Sequence, residues 1–421
     1  MPYAQGMRQT ILLMGETSFK TLPGTVTADK VPVINPSFRP TRNKFSSQAL
    51  TGSPEPRAVV TGKIGVEWDC EAECNPSSMM PWMKYTYGAN GWQVNGTTGL
   101  YHHRFNLADL GSFGAEDGHA DLTKFLGYRG LYVGSSALSF AAEGVMSARF
   151  SGLGGKALAS AGATVVNGTI TDRTILSPFS YLYGRVKKGG STIGYVKMAT
   201  FEINRGLDKD VAQDETNEIA VIFSQVATIN GSITALFSAP TLYDDALAGG
   251  DTSLEFFVPY GQGQAFIISI PTAKFTPFKV TTNGTGLVTL EGGYDAQGNG
   301  ATKGSVRSLW FSTLGIAGLN LLIKVDGGAP QTITFAGGDD TPDEAVTTIN
   351  ATLTGAVARV ERMAGETGGV VVIESNTTGT TSSIEVQAAS TADALMGIDN
   401  NVHSGLSNVS HEAWLLNKVA A

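Results

Sequence analysis

The chain has 421 residues, a formal net charge of -8, 16% charged residues and 52 glycines. This length suits two or three domains, and a glycine content well above the average share of about 7% favours a turn-rich β-protein over a helical bundle. An acidic chain with scattered Lys and Arg argues against tight phosphate binding, because that affinity comes from clustered cations.

The start of the chain, MPYAQGMRQTILLMGETSFK, has neither the long apolar segment nor the cleavage site of a secretory signal. No apolar run approaches the ~18 residues that a membrane helix needs. Cys70 and Cys74 lie four residues apart in an extended segment, too far apart to bridge, so we expect reduced thiols. These features favour the cytosol, or a particle assembled there.

The most regular pattern is VTGKIGVEWDCEAE, residues 60 to 73, in which apolar or small residues alternate with polar ones. A period of two predicts a β-strand with one face on a core and one face in water. The wet face ends in four carboxylates, spaced roughly 6 to 7 Å apart along one line. These are Glu67, Asp69, Glu71 and Glu73.

This strand has a relative in INGSITALFSAPTL, residues 229 to 242. A shift of 169 sets Ile64 on Ile233, and upstream a shift of 163 sets Phe38 on Phe201. Downstream, EGVMSARFSGLGG and TGLVTLEGGYDAQG are similar. Matches in the same order predict a duplicated module with loop insertions. In this alignment the counterparts of the four acids are uncharged, so folding does not require the acidity: Leu236, Ser238, Pro240 and Leu242.

The patterns divide the chain into four parts. Residues 1–160 form a first β-module with an N-terminal arm, and residues 161–308 form a linker and a second β-module. Residues 309–398 form a small α+β domain, whose helix start has Thr341 as N-cap, Pro342 at the first position and Glu344 closing a capping box. Residues 399–421 form a C-terminal tail.

No catalytic arrangement stands out, since GxSxG, HExxH and paired CxxC motifs are missing. His102 and His103 are adjacent on a predicted strand and point to opposite faces, which indicates surface or interface histidines. Asp339, Asp343 and their neighbours are explained by the dipole of the following helix, without a cation. We therefore predict a protein that is not an enzyme, with no cofactor and no metal.

Several segments, in order, resemble the major tail tube proteins of long-tailed bacteriophages over roughly the first 300 residues. They are MGETSFKTLP, SFRPTRNKF, PEPRAVVTGKIGVEWDCEAE, VMSARFSGLGG and GLVTLEGGYDAQ. The C-terminal part, with IKVDGGAPQTITF and SSIEVQAASTADALMGI, is similar to a small module of phage tail sheaths and other virion proteins.

The resemblance implies a mainly β fold: two tandem tail-tube-type antiparallel β-sandwich modules plus a small C-terminal α+β domain that projects outward. It implies self-assembly into stacked rings that form the tail tube, the conduit for DNA delivery. Because the C-terminal domain would be external, we expect a chain that ends at Ser305 to assemble like the whole chain. Because most members carry one module in six-fold rings, a duplicated chain implies a trimer with pseudo-six-fold symmetry. An acidic channel wall would let DNA slide without specific binding.

Implied partners are further copies of the chain and the tape measure, tail terminator and distal tail proteins, with no membrane. The implied location is the virion tail, assembled in the host cytoplasm. The four acids become lumen-facing candidates. The loop RGLDKDVAQDETNE carries candidates for contacts with the next ring: Arg205, Asp208, Lys209, Asp210, Asp214 and Glu215. Two alternatives stay open: a solvated face for the acids, and a virion surface adhesin or decoration protein that binds host glycan.

Overall fold

The computed structural model describes residues 6–46, 59–88, 92–95, 100–210, 216–237, 241–282 and 286–418. It is 54% strand and 10% helix, which confirms the predicted mainly β class. In the described residues, no helix is both long and apolar enough to cross a membrane.

Strands follow one another along the whole chain. The first set is β1 (Gln9–Gly15), β2 (Ala28–Val31), β3 (Ser37–Ser46), β4 (Val59–Glu73), β5 (Trp92–Asn95), β6 (Tyr101–Phe105), β7 (Phe113–His119), β8 (Lys124–Ala141) and β9 (Ser147–Ala157). The second set is β10 (Ile170–Asp172), β11 (Arg185–Lys188), β12 (Ser191–Thr192), β13 (Val196–Asn204), β14 (Leu207–Asp210), β15 (Val221–Ser224), β16 (Thr228–Leu236), β17 (Asp251–Gly261), β18 (Gln264–Phe275), β19 (Lys279–Thr282), β20 (Val288–Ala296) and β21 (Gly300–Ala301).

The remaining elements are mostly C-terminal. The strands are β22 (Ser305–Phe311), β23 (Asn320–Val325), β24 (Gln331–Thr334), β25 (Ala356–Glu361), β26 (Gly369–Ser375), β27 (Ser383–Val386), β28 (Val402–Ser404), β29 (Ser407–Val409) and β30 (Glu412–Asn417). The helices are α1 (Met79–Tyr87), α2 (Thr241–Ala248), α3 (Pro342–Thr352) and α4 (Asp393–Met396), with 3-10 turns at Gly6–Arg8 and Tyr181–Tyr183.

The alternation predicted for residues 60–73 is present in β4. Trp68 is buried on its core face and makes ring contacts with Phe38, Trp82 and Phe113, while Trp82 stacks on Phe150 at 4.4 Å. A buried aromatic side chain of this kind stabilises a fold by about 3–5 kcal/mol relative to Ala. The hydrophobic side chains of β4 therefore fix which face remains open.

Helix α1 covers this core. The Asn75 side chain orders the turn that precedes it, because Oδ1 accepts hydrogen bonds from the N–H groups of Ser77 (2.8 Å) and Ser78 (2.7 Å). The helix ends at Gly88, whose φ is 98°, and a Cβ there would lie 2.2 Å from the carbonyl oxygen of Asp109. Only glycine fits this close approach without strain.

One antiparallel sheet runs through both halves of the chain, and we call it the joined sheet. It contains β3, β4, β9 and β8, followed by β13, β16, β20 and β19. The halves meet where β8 pairs with β13, from Ser135 opposite Asn204 to Ala141 opposite Met198. The described part of the chain thus has its two predicted modules hydrogen-bonded edge to edge.

Strand registers define the internal repeat more accurately than the sequence does. Arg39 lies opposite Glu67 on the β3–β4 ladder, and Glu202 lies opposite Asn230 on the β13–β16 ladder, so both strands shift by 163. Beyond the change of register in β3, Lys44 lies opposite Thr61. Adding 163 to both numbers predicts Leu207 opposite Ser224, and this pair is present on the β14–β15 ladder.

The shift of 169 inferred for the second strand is therefore wrong by six residues. Six is an even number, so the shifted alignment still put apolar residues on the core face, and the pattern could not expose the error. The counterparts of the four acids are corrected to Asn230, Ser232, Thr234 and Leu236. They are still uncharged, so the inference that folding does not require the acids stands.

The closing strands repeat with a shift of 142. Leu131 opposite Gly154 corresponds to Ala273 opposite Ala296. Ser139 opposite Ser147 corresponds to Thr281 opposite Thr289, across β19 and β20. β19 is therefore the counterpart of the second half of β8, and β3 is the counterpart of β13.

The C-terminal region has its own core, between a β22–β26–β25 sheet, a β24–β23–β27–β28 sheet and α3. The predicted capping box is present: Thr341 Oγ1 accepts from the Glu344 N–H at 3.4 Å, and the Glu344 carboxylate accepts from the Thr341 N–H at 3.0 Å. Hydrogen bonds from Thr341 hold the pKa of Glu344 below its ordinary value.

Residues 399–421, predicted as a tail, contain β28, β29 and β30. β30 is buried along its length and lies between β6 and β18, with Trp414 opposite both Arg104 and Ile267. It therefore links strands of the two modules at a second place, apart from the β8–β13 ladder. This position argues against the expectation that the chain after Ser305 is dispensable, because removing β30 would expose its apolar neighbours on both sides.

His102 and His103 are buried beside β30, at 3% and 0% exposed, so the surface alternative expected for them is wrong. His103 Nε2 lies 2.9 Å from the side-chain oxygen of Asn417. Burial lowers the pKa of His102 to about 3. The predicted free thiols are confirmed, and Cys70 and Cys74 are both buried.

Candidate assembly surface

The joined sheet has one face on the core and one face in solvent, which we call the open face. On β4 the core residues Val66 and Cys70 alternate with the four acids, each of which is partly exposed. The same alternation places Glu202 of β13 and Glu291 and Asp295 of β20 in solvent. The open face therefore continues across both modules and carries acids in each.

The acids of β4 have partners that the sequence did not reveal. Arg39 Nη2 lies 2.6 Å from Glu67 Oε2, and Arg149 Nε lies 2.7 Å from Asp69 Oδ2. The hydrogen bond to Asp69 raises the pKa of Arg149. Both arginines come from neighbouring strands, β3 and β9, so only the registers bring them to the row. The open face is thus a mixed surface with excess acid, and the row of acids is partly neutralised.

A groove of about 450 Å³ crosses the open face where the modules meet. Its walls come from β4, β8, β9 and β13 and include Asp69, Arg149, Met198 and Glu202. Lys274 of β18 lies opposite Asp295, and Lys279 of β19 lies opposite Glu291, so the second module also places a cation across the ladder from each of these acids.

Arg205, one of the loop candidates, is buried and 6% exposed. Its Nη2 donates to the carbonyl oxygens of Thr86 (3.1 Å), Tyr87 (3.0 Å) and Ala108 (2.8 Å), which closes the end of α1. Burial lowers the pKa of this guanidinium. Arg205 therefore has a structural role and is not available to another ring.

Asp208, Lys209 and Asp210 lie on β14, with the two aspartates exposed. Asp214 and Glu215 lie outside the described residues. Whether these side chains contact another ring stays a prediction.

The end of the same loop contacts the first module. The Ile64 N–H donates to Asn217 O at 2.9 Å, and the Ile219 N–H donates to Ile64 O at 3.2 Å. Glu218 forms ion pairs with Lys20 (3.3 Å) and Lys156 (2.7 Å). Burial alone would raise the pKa of Glu218, but the two lysines hold it below its ordinary value. This loop therefore fastens one module to the next in addition to the β8–β13 ladder.

These features define a class of β-rich protein in which one sheet continues from module to module and, among the described residues, ends in an edge strand on each side. The family model described as phage tail tube protein matches residues 6–307. The chain belongs to this family of phage tail tube proteins. Residues 308–421, which hold most of the C-terminal core and β30, lie outside the matched range. A search of curated proteins found no match.

Proposed function

We propose that the chain assembles into stacked rings of three copies, with pseudo-six-fold symmetry, that form the conduit for DNA in the phage tail. The observation that carries this proposal is the β8–β13 ladder, which already joins two copies of the module into one sheet. Repeating that contact between chains would close the sheet into a barrel and remove the remaining edges.

The open face is the lumen wall in this proposal, with Glu67, Asp69, Glu71 and Glu73 on it. The opposite face of the joined sheet shares one core with α1 and with residues of β6, β18 and β30. The C-terminal domain packs on β17, β18 and β30 through Val370 and Val372. In the proposed barrel this bulk lies on the outside. Three copies of eight strands give 24 strands, roughly 45 to 50 Å across between backbones. A mixed wall with excess acid lets a duplex slide, because it does not neutralise successive phosphates.

The remaining parts of the proposal follow from this arrangement. The C-terminal domain, like the small module of tail sheaths, would project outward as decoration. The tube would be assembled in the host cytoplasm, would reside in the virion tail, and would meet the tape measure, terminator and distal tail proteins. The chain has a structural role and not a catalytic one.

Electron microscopy of the purified protein, with native mass spectrometry, tests this function. We expect tubes or rings with a central hole, six similar lobes for each ring, and three chains in the ring mass. Six chains for each ring would contradict the role of the duplication. Discrete monomers under all assembly conditions would instead favour the surface adhesin alternative.

A further inference from the structure

We infer that β3 of a second copy pairs antiparallel with β19, in the register that sets Ser37 opposite Thr281. This inference rests on the proposed ring and names the strands and residues of its chain-to-chain contact. It follows from the internal repeat. The edge strands β3 and β19 are the counterparts of β13 and β8, and β13 and β8 pair with each other within one chain.

The β8–β13 ladder supplies the register. Thr200 lies opposite Ser139, and Phe201 lies opposite Leu138. The other ladders show that β3 is equivalent to β13 with residue numbers lower by 163, and that β19 is equivalent to the second half of β8 with residue numbers higher by 142. Replacing each residue of the β8–β13 pairs by its equivalent gives the expected pairs between chains. The resulting pairs are Ser37 with Thr281, Phe38 with Val280, and Arg39 with Lys279.

Exposure of the two edges agrees with a missing partner. Within the described residues β3 pairs only with β4, and β19 only with β20. Leu138 is 1% exposed at the internal ladder, whereas its counterpart Val280 is 46% exposed. Ile203 is 1% exposed, whereas its counterpart Pro40 is exposed. Apolar side chains that are covered inside the chain are thus uncovered at its two ends.

The charges at this contact balance. Arg39 and Lys279 would face each other, which alone would be unfavourable. Each is next to an acid of its own chain, Glu67 for Arg39 and Glu291 for Lys279. Across the contact the side chains would follow in the order Glu67, Arg39, Lys279, Glu291, and their formal charges sum to zero.

Pro36 and Pro40 make the contact weaker than the internal ladder, because proline has no N–H to donate and is confined to edge strands. An edge with fewer donors also pairs less readily with unrelated strands. A weaker ladder between chains than within them suits a subunit that must stay separate until rings form.

Paired cysteines test the register. In the variant S37C/T281C, the two cysteines of one chain lie at opposite ends of an eight-strand sheet, roughly 34 Å apart, so only a bond between chains can form. The native thiols are buried, and burial raises the pKa of Cys70 to about 12, so they stay unreactive. Two controls match this variant: S139C/T200C, which is the equivalent pair within one chain, and S37C/K279C, which is out of register by two residues.

We expect mild oxidation of assembled S37C/T281C to give covalent dimers and then trimers on a non-reducing gel. S139C/T200C should cross-link within the chain, and S37C/K279C should stay mostly monomeric. Rings that form without cross-links in S37C/T281C, while S139C/T200C is oxidised, would overturn the register and leave the proposed function intact. Absence of rings in the unmodified protein would overturn the proposed function itself.

Discussion

Arg39 and Glu202 occupy equivalent positions in the two modules, 163 residues apart, and carry opposite charges. Arg39 pairs with Glu67, whereas Glu202 has the neutral Asn230 across the ladder. The two modules therefore share backbone pairing but not the charges on the open face. In the proposed ring of three chains this position would alternate in sign, so the electrostatic field in the proposed lumen would be three-fold and not six-fold.

Reversing one charge on the open face should make the tube retain DNA. We expect tubes of Glu71→Lys to bind duplex DNA at about 50 mM salt and to release most of it at about 200 mM, because added cations neutralise phosphates. Asp244→Lys, which makes the same charge change on the exposed side of α2, is the control. Equal DNA binding by both variants in a filter-binding assay would contradict a lumen position for Glu71.

The buried ion pair of Arg104 with Glu412 should contribute strongly to stability. Arg104 Nη2 lies 2.6 Å from Glu412 Oε2, and both side chains are less than a tenth exposed. Glu412→Ala leaves the Arg104 charge buried without its acidic partner, and we expect about 3–5 kcal/mol lower free energy of unfolding in urea. Arg39→Ala removes an exposed pair and should cost less than about 1 kcal/mol. A small loss for Glu412→Ala would show that water replaces the carboxylate.

The C-terminal domain should be removable, provided that β30 is kept. β21 and β29 pair at its base, with Ala301 opposite Ser407, so the two ends of the domain are adjacent. We expect a chain in which residues 303–405 are replaced by a short glycine turn to form tubes. A chain that ends at Ser305 should be largely insoluble. Electron microscopy compares the two, and loss of tubes in the first would assign the domain a role in assembly.

Stability should fall as pH drops from about 6.5 towards 3. Burial lowers the pKa of His411 and His102 to about 3, with Arg205 near His411 and Arg307 near His102 adding to the effect. The unfolded chain takes up these protons first, so each histidine removes about 1.4 kcal/mol of stability per pH unit in this window. Urea titrations between pH 6.5 and 5 measure the slope. His411→Gln should lower the histidine contribution by about half, and an unchanged slope would contradict this.

Local features were predictable from the sequence because they depend on residues close in the chain. The alternation of residues 60–73 gave β4 and its core face, and the Thr341 box gave the start of α3. The duplication was also visible, since apolar periodicity survives in both copies. Its register was not visible, because an even shift preserves the pattern, and only the ladders separate 163 from 169.

Features that depend on distant residues were not predictable. Arg39 and Arg149 reach the acids only through the pairing of β3, β4 and β9. Arg205 was assigned to an exposed loop because a charged residue beside aspartates favours solvent, whereas three backbone carbonyls hold it inside. β30 is too short and too distant in sequence from β6 and β18 for any local pattern to indicate its partners.

The position of β30 also sets the order of events during synthesis. Translation proceeds at roughly 5 to 20 residues per second. Both modules therefore leave the ribosome well before synthesis reaches β30, the strand that lies between β6 and β18 in space. Until then the edges of β6 and β18 stay unpaired while the C-terminal domain folds on its own core. A chain cut short before Glu412 cannot close this gap, so a growing tube would receive only subunits whose synthesis has passed this point.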